Sequence, residues 1–290
     1  MTTTLRFLGA SGYEVVGPRY RILLEPFLRG NPVAPYQPDD VPSPDLILVS
    51  HAAWDHLGDA AEIARRTGAP VGCPADVAAK LLDDGVPDDQ IRPLIWGVCY
   101  TFGDIVVRPV ECHHWSSATL RDGRVIAGVP LSFIVETEPG VRIYHFGDTA
   151  IFPGLALIGE LYRPTVGILG CAQTDGLPDP GAGQVLTGEM NPDEAGRAAG
   201  MLGIRHLVAS HYLRPGPEVE ELRRLAPRYD DTGRRLVHAP AAGGTITIEP
   251  EPGQLPSLAW GRSSPTWDPE HRPAVAGQPA TGVRSVSPNG

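Results

Sequence analysis

The longest unbroken apolar stretch of the first half, D-L-I-L-V-S over Asp45–Ser50, has no polar position to face water. That pattern predicts a strand covered on both sides. Shorter apolar runs precede it. L-R-F-L-G, Y-E-V-V-G and Y-R-I-L-L-E-P-F-L predict strands separated by turns at Gly and Pro. After Ser50 the period changes. Asp59–Thr67 and Ala75–Asp84 carry helical spacing, and Gly68 and Gly85 supply stops.

Strands return over Asp104–Cys112, Leu131–Thr137 and Val141–Phe146, and E-P-G between the last two predicts a hairpin. T-V-G-I-L-G is a further apolar run. N-P-D-E-A-G then offers Asn191 as a helix N-cap, Pro192 at the first helical position and Glu194 at the capping-box position. His206–Ser210 is another strand, and G-T-I-T-I-E the last ordered piece. Strands alternating with helices in both halves predict a layered α/β architecture. Beyond residue 250 Pro, Gly, Ser and Arg dominate. The expected organisation is a domain over 1–250 and a tail over 251–290, flexible or loosely docked, with Trp260 and Trp267 as possible anchors.

Composition narrows the function. At 290 residues, with 42% hydrophobic residues and a formal charge of −10, the chain has the makeup of a soluble globular protein. It has no basic cluster for nucleic acid and no apolar stretch long enough for a bilayer. The N-terminus M-T-T-T-L-R-F-L-G-A lacks a basic segment followed by a long apolar one. Cys73, Cys99, Cys112 and Cys171 form no C-x-x-C pair and read as reduced, buried thiols. A cytoplasmic protein is expected. Its oligomeric state is not legible.

The chemistry sits at the strand ends. V-S-H-A-A-W-D-H-L-G-D places His51, Asp55 and His56 within six residues of each other, directly after the apolar run. E-C-H-H-W-S-S places His113 and His114 after a second strand, Y-H-F-G-D-T places Asp148 after a third, and V-A-S-H-Y places His211 after a fourth. Imidazole and carboxylate donors gathered on one rim suit zinc, manganese or iron. Adjacent strand residues face opposite ways, so only one of His113 and His114 can point at such a site.

The ordered set H-x-x-x-D-H, H-W-S-S, G-D-T and S-H-Y resembles the metallo-β-lactamase superfamily. The resemblance runs from about residue 5 to 250. It is nearest to the ascorbate-phosphate lactonase-like branch, with the N-acylphosphatidylethanolamine phospholipase D branch near by. L-L-E-P-F-L, H-F-G-D-T-A-I-F and M-N-P-D-E-A-G carry it. It implies an αββα sandwich with a one- or two-metal site on its rim. By position, His51 and His114 would bind a first metal, Asp55, His56 and His211 a second, and Asp148 would bridge both. Asp55 and His56 are the implied catalytic pair, Asp55 orienting a metal-activated water or protonating the leaving group.

Two departures stand out. The family pattern is H-x-H-x-D-H, and Ala53 stands where the second His belongs. Glu25 stands where the family has Asp, a change expected to touch loop support. The expectation is an occupied second site and a weak first one.

Other residues have blander readings. His145 could face or support the site, or be an ordinary strand histidine. His206 reads as structural, Tyr212 as packing, Ser116 and Ser117 as loop hydrogen-bonders, and Trp54 and Trp115 as pocket walls or ordinary burial. Asp175, Asp179 and Gln184 fall in a polar Gly/Pro-rich loop that could be a lid or plain surface. The expected activity is hydrolysis of a lactone, ester or related C–O/C–N bond in a small molecule. The alternatives are phosphodiester hydrolysis, an iron redox enzyme, and a diverged non-hydrolytic binder.

Overall fold

The computed structural model describes residues 2–172, 189–250 and 258. In chain order the strands are β1 (Thr3–Gly9), β2 (Gly12–Val16), β3 (Arg21–Leu24), β4 (Leu46–Leu48), β5 (Val71–Cys73), β6 (Ile91–Pro93), β7 (Tyr100–Phe102), β8 (Ile105–Val110), β9 (Ser116–Thr119), β10 (Val125–Gly128), β11 (Ser132–Glu138), β12 (Val141–His145), β13 (Val166–Gly170), β14 (His206–Ser210), β15 (Leu236–His238) and β16 (Thr245–Ile248). The helices are α1 (Trp54–Leu57), α2 (Ala60–Thr67), α3 (Ala75–Asp83), α4 (Gly154–Tyr162), α5 (Pro192–Leu202) and α6 (Pro217–Leu225).

Two seven-stranded sheets form the body. One has the order β16-β1-β2-β3-β4-β5-β6 and the other β15-β14-β13-β12-β11-β8-β7, with β9 and β10 a separate hairpin. The alternation of β4 shows how they stack. Leu46 and Leu48 join the large core shared with Phe133, Val135 and Ile143 of the second sheet. Ile47 and Val49 face the opposite way, under Ile63 and Ala64 of α2 and Val77 and Leu81 of α3. The strand is covered on both faces, as its continuous apolar run requires. Leu155 of α4, Ala195 and Ala199 of α5 and Leu222 of α6 close over the second sheet. The result is an α/β four-layer αββα sandwich.

Local signals act as the sequence analysis expects at several ends. Gly68 closes α2 with φ 78°, and Asn191 and Glu194 form a reciprocal capping box at α5. β11 and β12 pair as an antiparallel hairpin. Leu258, eight residues past the proposed domain boundary, is buried in the large core, and Arg108 Nε donates to its carbonyl at 3.1 Å. Trp260, Trp267 and the Asp175–Gln184 loop lie outside the described residues.

Four chain segments meet at one rim because strand ends converge there. His51 follows β4, His114 follows β8, Asp148 follows β12 and His211 follows β14. β12, β13 and β14 run parallel, so their C-terminal ends share that edge. The two sheets are stitched together at the same edge. His211 N donates to Ala10 O at 2.9 Å, Ala10 N donates to Tyr212 O at 3.0 Å, and Leu131 N donates to Ser50 O at 2.9 Å.

Candidate metal centre

The first site residues are positioned by a single turn of helix inside the His51–His56 motif. α1 begins after Ala53, so Asp55 and His56 leave adjacent positions of that one turn, and both are buried. The C-cap Gly58 adopts φ 44°, and a Cβ there would press on Pro26 O and Phe27 Cα. Only glycine lets α1 sit this close to the segment that carries Glu25.

Backbone strain gathers at the rim. Glu25, Asp148 and His211 have φ of 49°, 64° and 64°. Non-glycine residues in this region cost about 1–3 kcal/mol each and persist where surrounding contacts over-determine them.

The side chains converge. Asp148 Oδ2 lies 2.9 Å from His56 Nε2, 3.3 Å from His211 Nε2 and 3.8 Å from His51 Nε2. Asp55 Oδ2 lies 3.9 Å from His56 Nε2 and 3.7 Å from His211 Nε2. The His114 ring is 4.9 Å from the His51 ring, edge to face. Three overlapping groups offer donor atoms within 4.8 Å of one another: His51, His56 and Asp148; Asp55, His56 and His211; His114, Asp148 and Glu189. All six residues singled out as ligands in the sequence therefore share one site.

The outward nitrogens are each held from behind. His56 Nδ1 is 3.1 Å from Glu25 Oε2, and Glu25 Oε1 accepts from Ser50 N at 2.9 Å. His51 Nδ1 is 2.8 Å from Ser50 Oγ, and His211 Nδ1 donates to Ala172 O at 2.9 Å. With the Nδ1 side engaged, Nε2 is left to face the centre. Among the described residues, the Nε2 atoms of His51, His56 and His211, together with Asp148 Oδ1 and Glu189 Oε2, are buried with no hydrogen-bond partner. Orphaned buried donors and acceptors are costly. Orphaned atoms spread over these overlapping groups are what bound cations resolve, and nitrogen with carboxylate oxygen is a fitting donor set.

The electrostatics agree. Burial holds His51 well below its ordinary pKa, and the neighbouring His56 adds to this. Burial would lower His56 too, but the carboxylates of Asp148, Asp55 and Glu25 outweigh it and raise it well above. His211 is pushed up to about 10, with burial outweighed by Asp148 and Glu189. Asp148 lies well below the usual carboxylate range, because His211 and His56 overcome its burial. Glu189 is raised to about 7, by burial first and by the Asp148 charge next. The carboxylates thus favour positive charge at His56 and His211, while burial disfavours it at His51.

The other sequence candidates separate cleanly. His113 turns away from the centre. Its Nε2 meets Glu111 Oε1 at 2.7 Å on the surface, and its ring stacks on Phe152 at 4.1 Å. It does not replace the imidazole that Ala53 lacks. His145 is fully buried behind Glu25, with Nδ1 3.9 Å from Glu25 Oε1. His206 pairs with His238, and Tyr212 donates to Pro240 O at 2.8 Å while packing on Phe7. Ser116 Oγ accepts from Ala52 N at 3.1 Å and donates to the buried Asp76, tying the metal loop to α3. Trp54 and Trp115 are 40% and 69% exposed, so they stand at the rim rather than in the core.

Sequence reasoning missed two carboxylates. Glu25 reads in sequence only as a departure touching loop support, yet its carboxylate lies 3.1 Å from His56 Nδ1. Glu189 carries no signal in the sequence. Glu25 directly follows β3, but nothing in the sequence ties it to His56, and Glu189 follows no apolar run.

Known proteins place this architecture. A profile of the beta-lactamase superfamily domain matches residues 20–212. A UPF0173 metal-dependent hydrolase of Rubrobacter xylanophilus is 36% identical over 212 residues, covering 72% of this chain and 81% of that one. Among solved structures, the metallo hydrolase Igni18 of Ignicoccus hospitalis shares the fold with a TM-score of 0.68 and 26% identity, covering 87% of this chain and 100% of that one. The diiron β-hydroxylase CmlA of Streptomyces venezuelae does so with a TM-score of 0.61 and 13% identity, covering 85% of this chain and 54% of that one. The chain belongs to the beta-lactamase superfamily, with the metallo-β-lactamase fold, and within it to the UPF0173 metal-dependent hydrolases.

Proposed function

We propose that the protein hydrolyses a lactone, ester or related C–O or C–N bond of a small molecule, with Asp55 managing the proton. One observation carries the reading: the unpartnered, buried Nε2 atoms of His51, His56 and His211 all face Asp148. His51, His114 and Asp148 would hold one cation and Asp55, His56, His211 and Asp148 another. A bound zinc, manganese or iron supplies Lewis acidity and lowers the pKa of water toward neutrality.

The chain's own residues do the rest. Asp55 is 8% exposed, enough to meet solvent at the mouth while its Oδ2 stays near two imidazoles. It orients the attacking water and returns a proton to the leaving oxygen or nitrogen. His56 aligns the same carboxylate and is itself held by Glu25. Trp54 and Trp115 offer apolar surface at the entrance for the carbon skeleton of a substrate. Among the described residues, the ion pairs of Asp55, Asp148 and Glu189 run to histidines. Reduced thiols fit a cytoplasmic setting, since all four cysteines are free.

The test is turnover of a panel of lactones, esters and phosphodiesters by protein loaded with zinc, manganese or iron. Hydrolysis of a lactone or ester is expected, with kcat falling about 10²–10⁴-fold in Asp55→Asn. Wild-type rates in that variant would remove Asp55 from the chemistry. Oxygen consumption by the iron form without hydrolysis would replace the hydrolytic reading with the redox one.

A further inference from the structure

Ala53 removes an imidazole from the first metal position, and the structure contains an unassigned group in reach of that position. We infer that Glu189 is a ligand of the first metal, so that this chain builds it from His51, His114, Asp148 and Glu189. The inference rests on the metal-centre reading above and deepens it.

Glu189, His114 and Asp148 offer donor atoms within 4.8 Å of one another. Donors sharing one cation at about 2.0–2.2 Å lie within about 4.4 Å of each other, close to that spacing. The Glu189 side chain is only 14% exposed, and its Oε2 is buried with no hydrogen-bond partner. Asp148, which shares donor groups with both Glu189 and His51, has an equally unpartnered Oδ1, as does His51 at Nε2, in residues 3% and 1% exposed. A buried carboxylate without hydrogen bonds is costly unless a cation meets it.

The obvious competing role is support for His211. Glu189 Oε2 is 3.2 Å from His211 Nδ1. That N–H is already committed to Ala172 O at 2.9 Å, so it does not satisfy the carboxylate. The position is also well anchored. Met190 is 1% exposed in the core, and the Asn191–Glu194 capping box fixes the start of α5 immediately after it. The carboxylate is thus presented two residues before the N-cap of α5.

The chemical consequence concerns metal choice. Replacing a neutral imidazole with a carboxylate gives the first position two nitrogen and two oxygen donors, and one more negative charge. Harder, oxygen-rich sets favour manganese and iron relative to zinc.

The experiment is metal titration of the full chain with manganese and with zinc, read by elemental analysis after desalting and by the exchange-coupled EPR signal of a dimanganese pair. Wild type, Glu189→Gln, Ala53→His and the double variant are compared, with circular dichroism confirming fold. Wild type is expected to retain two manganese equivalents. Glu189→Gln should retain one, with the weaker equivalent loosened at least about 100-fold and the coupled signal lost. Ala53→His in the Glu189→Gln background should restore the second equivalent and shift its preference toward zinc. Two tight equivalents in Glu189→Gln, or a single equivalent in wild type, would overturn the inference and leave the enzyme reading standing. Loss that Ala53→His fails to restore would assign Glu189 to His211 and also overturn it. No metal on the wild type at all would sink the metal-centre reading itself.

Discussion

Glu25 decides which nitrogen of His56 is available. Its Oε1 takes the Ser50 N–H and its Oε2 faces His56 Nδ1. Carboxylates behind metal-binding histidines typically contribute about 10–100-fold in affinity. Glu25→Gln is therefore predicted to be damaging despite matching the shape. Its amide oxygen would keep Ser50 N, turning the amide NH₂ toward Nδ1 and forcing the ring proton onto Nε2. Metal affinity should fall by about 10–100-fold with thermal stability little changed, which isothermal titration and a melting curve measure. Unchanged affinity would show that Glu25 does not set the tautomer. At this scale the sequence was legible where polar residues end apolar runs, as at His51, Asp148 and His211. The contact of Glu25 with His56 and the place of Glu189 were not, because only the fold brings either carboxylate to the site.

At the scale of elements, the turn after β12 sets the bridging carboxylate. Gly147 has φ 59° and precedes Asp148, also left-handed. A Cβ on Gly147 would collide with the carbonyl of Leu131, where the second sheet is tied to Ser50. Gly147→Ala is predicted to cost about 1–3 kcal/mol and to displace Asp148. Differential scanning should show a melting point lower by several degrees, together with reduced metal retention. A variant with normal stability and full metal content would contradict this account of the turn. The glycine was readable from G-D-T as a tight turn. Several helices were not read. α1 is one turn long and was hidden inside the ligand motif. α4 exposes Leu157 and Leu161, which blurs its apolar face. α6 does carry a signal in the sequence, Pro217 at its start and Val219, Leu222 and Leu225 on one buried face.

Across the whole molecule, the layered α/β class followed from alternating strand and helix patterns. The strand order did not, since β1 pairs with β16 across most of the chain and no local pattern encodes that. Among the described residues no helix is long and apolar enough to cross a membrane. Away from the metal centre, the His206–His238 pair is predicted to make stability sensitive to acid. The rings stack 5.3 Å apart, and the 3.1 Å Nδ1–Nε2 contact needs one ring to act as acceptor. Burial and the His238 neighbour lower His206 to about 4. The unfolded chain, with an ordinary pKa of about 6.5, takes up this proton first. Stability from the neutral pair is therefore full above about pH 6.5 and declines as pH falls toward 4. Both rings are half-exposed, so solvent screening reduces the contribution to about 1 kcal/mol or less. His206→Gln should flatten the fall in melting temperature between pH 6.5 and 5 relative to wild type. Identical slopes would exclude the pair as a source of acid sensitivity.

The central claim is that residues from His51 to His211 share cations at one rim. Anomalous diffraction from crystals of the full chain grown with manganese tests it most directly. The predicted map has a peak bounded by Asp55, His56 and His211 and a second bounded by His51 and His114, with Asp148 between them. A map with no peak among these side chains, or with peaks only at surface carboxylates, would contradict the account.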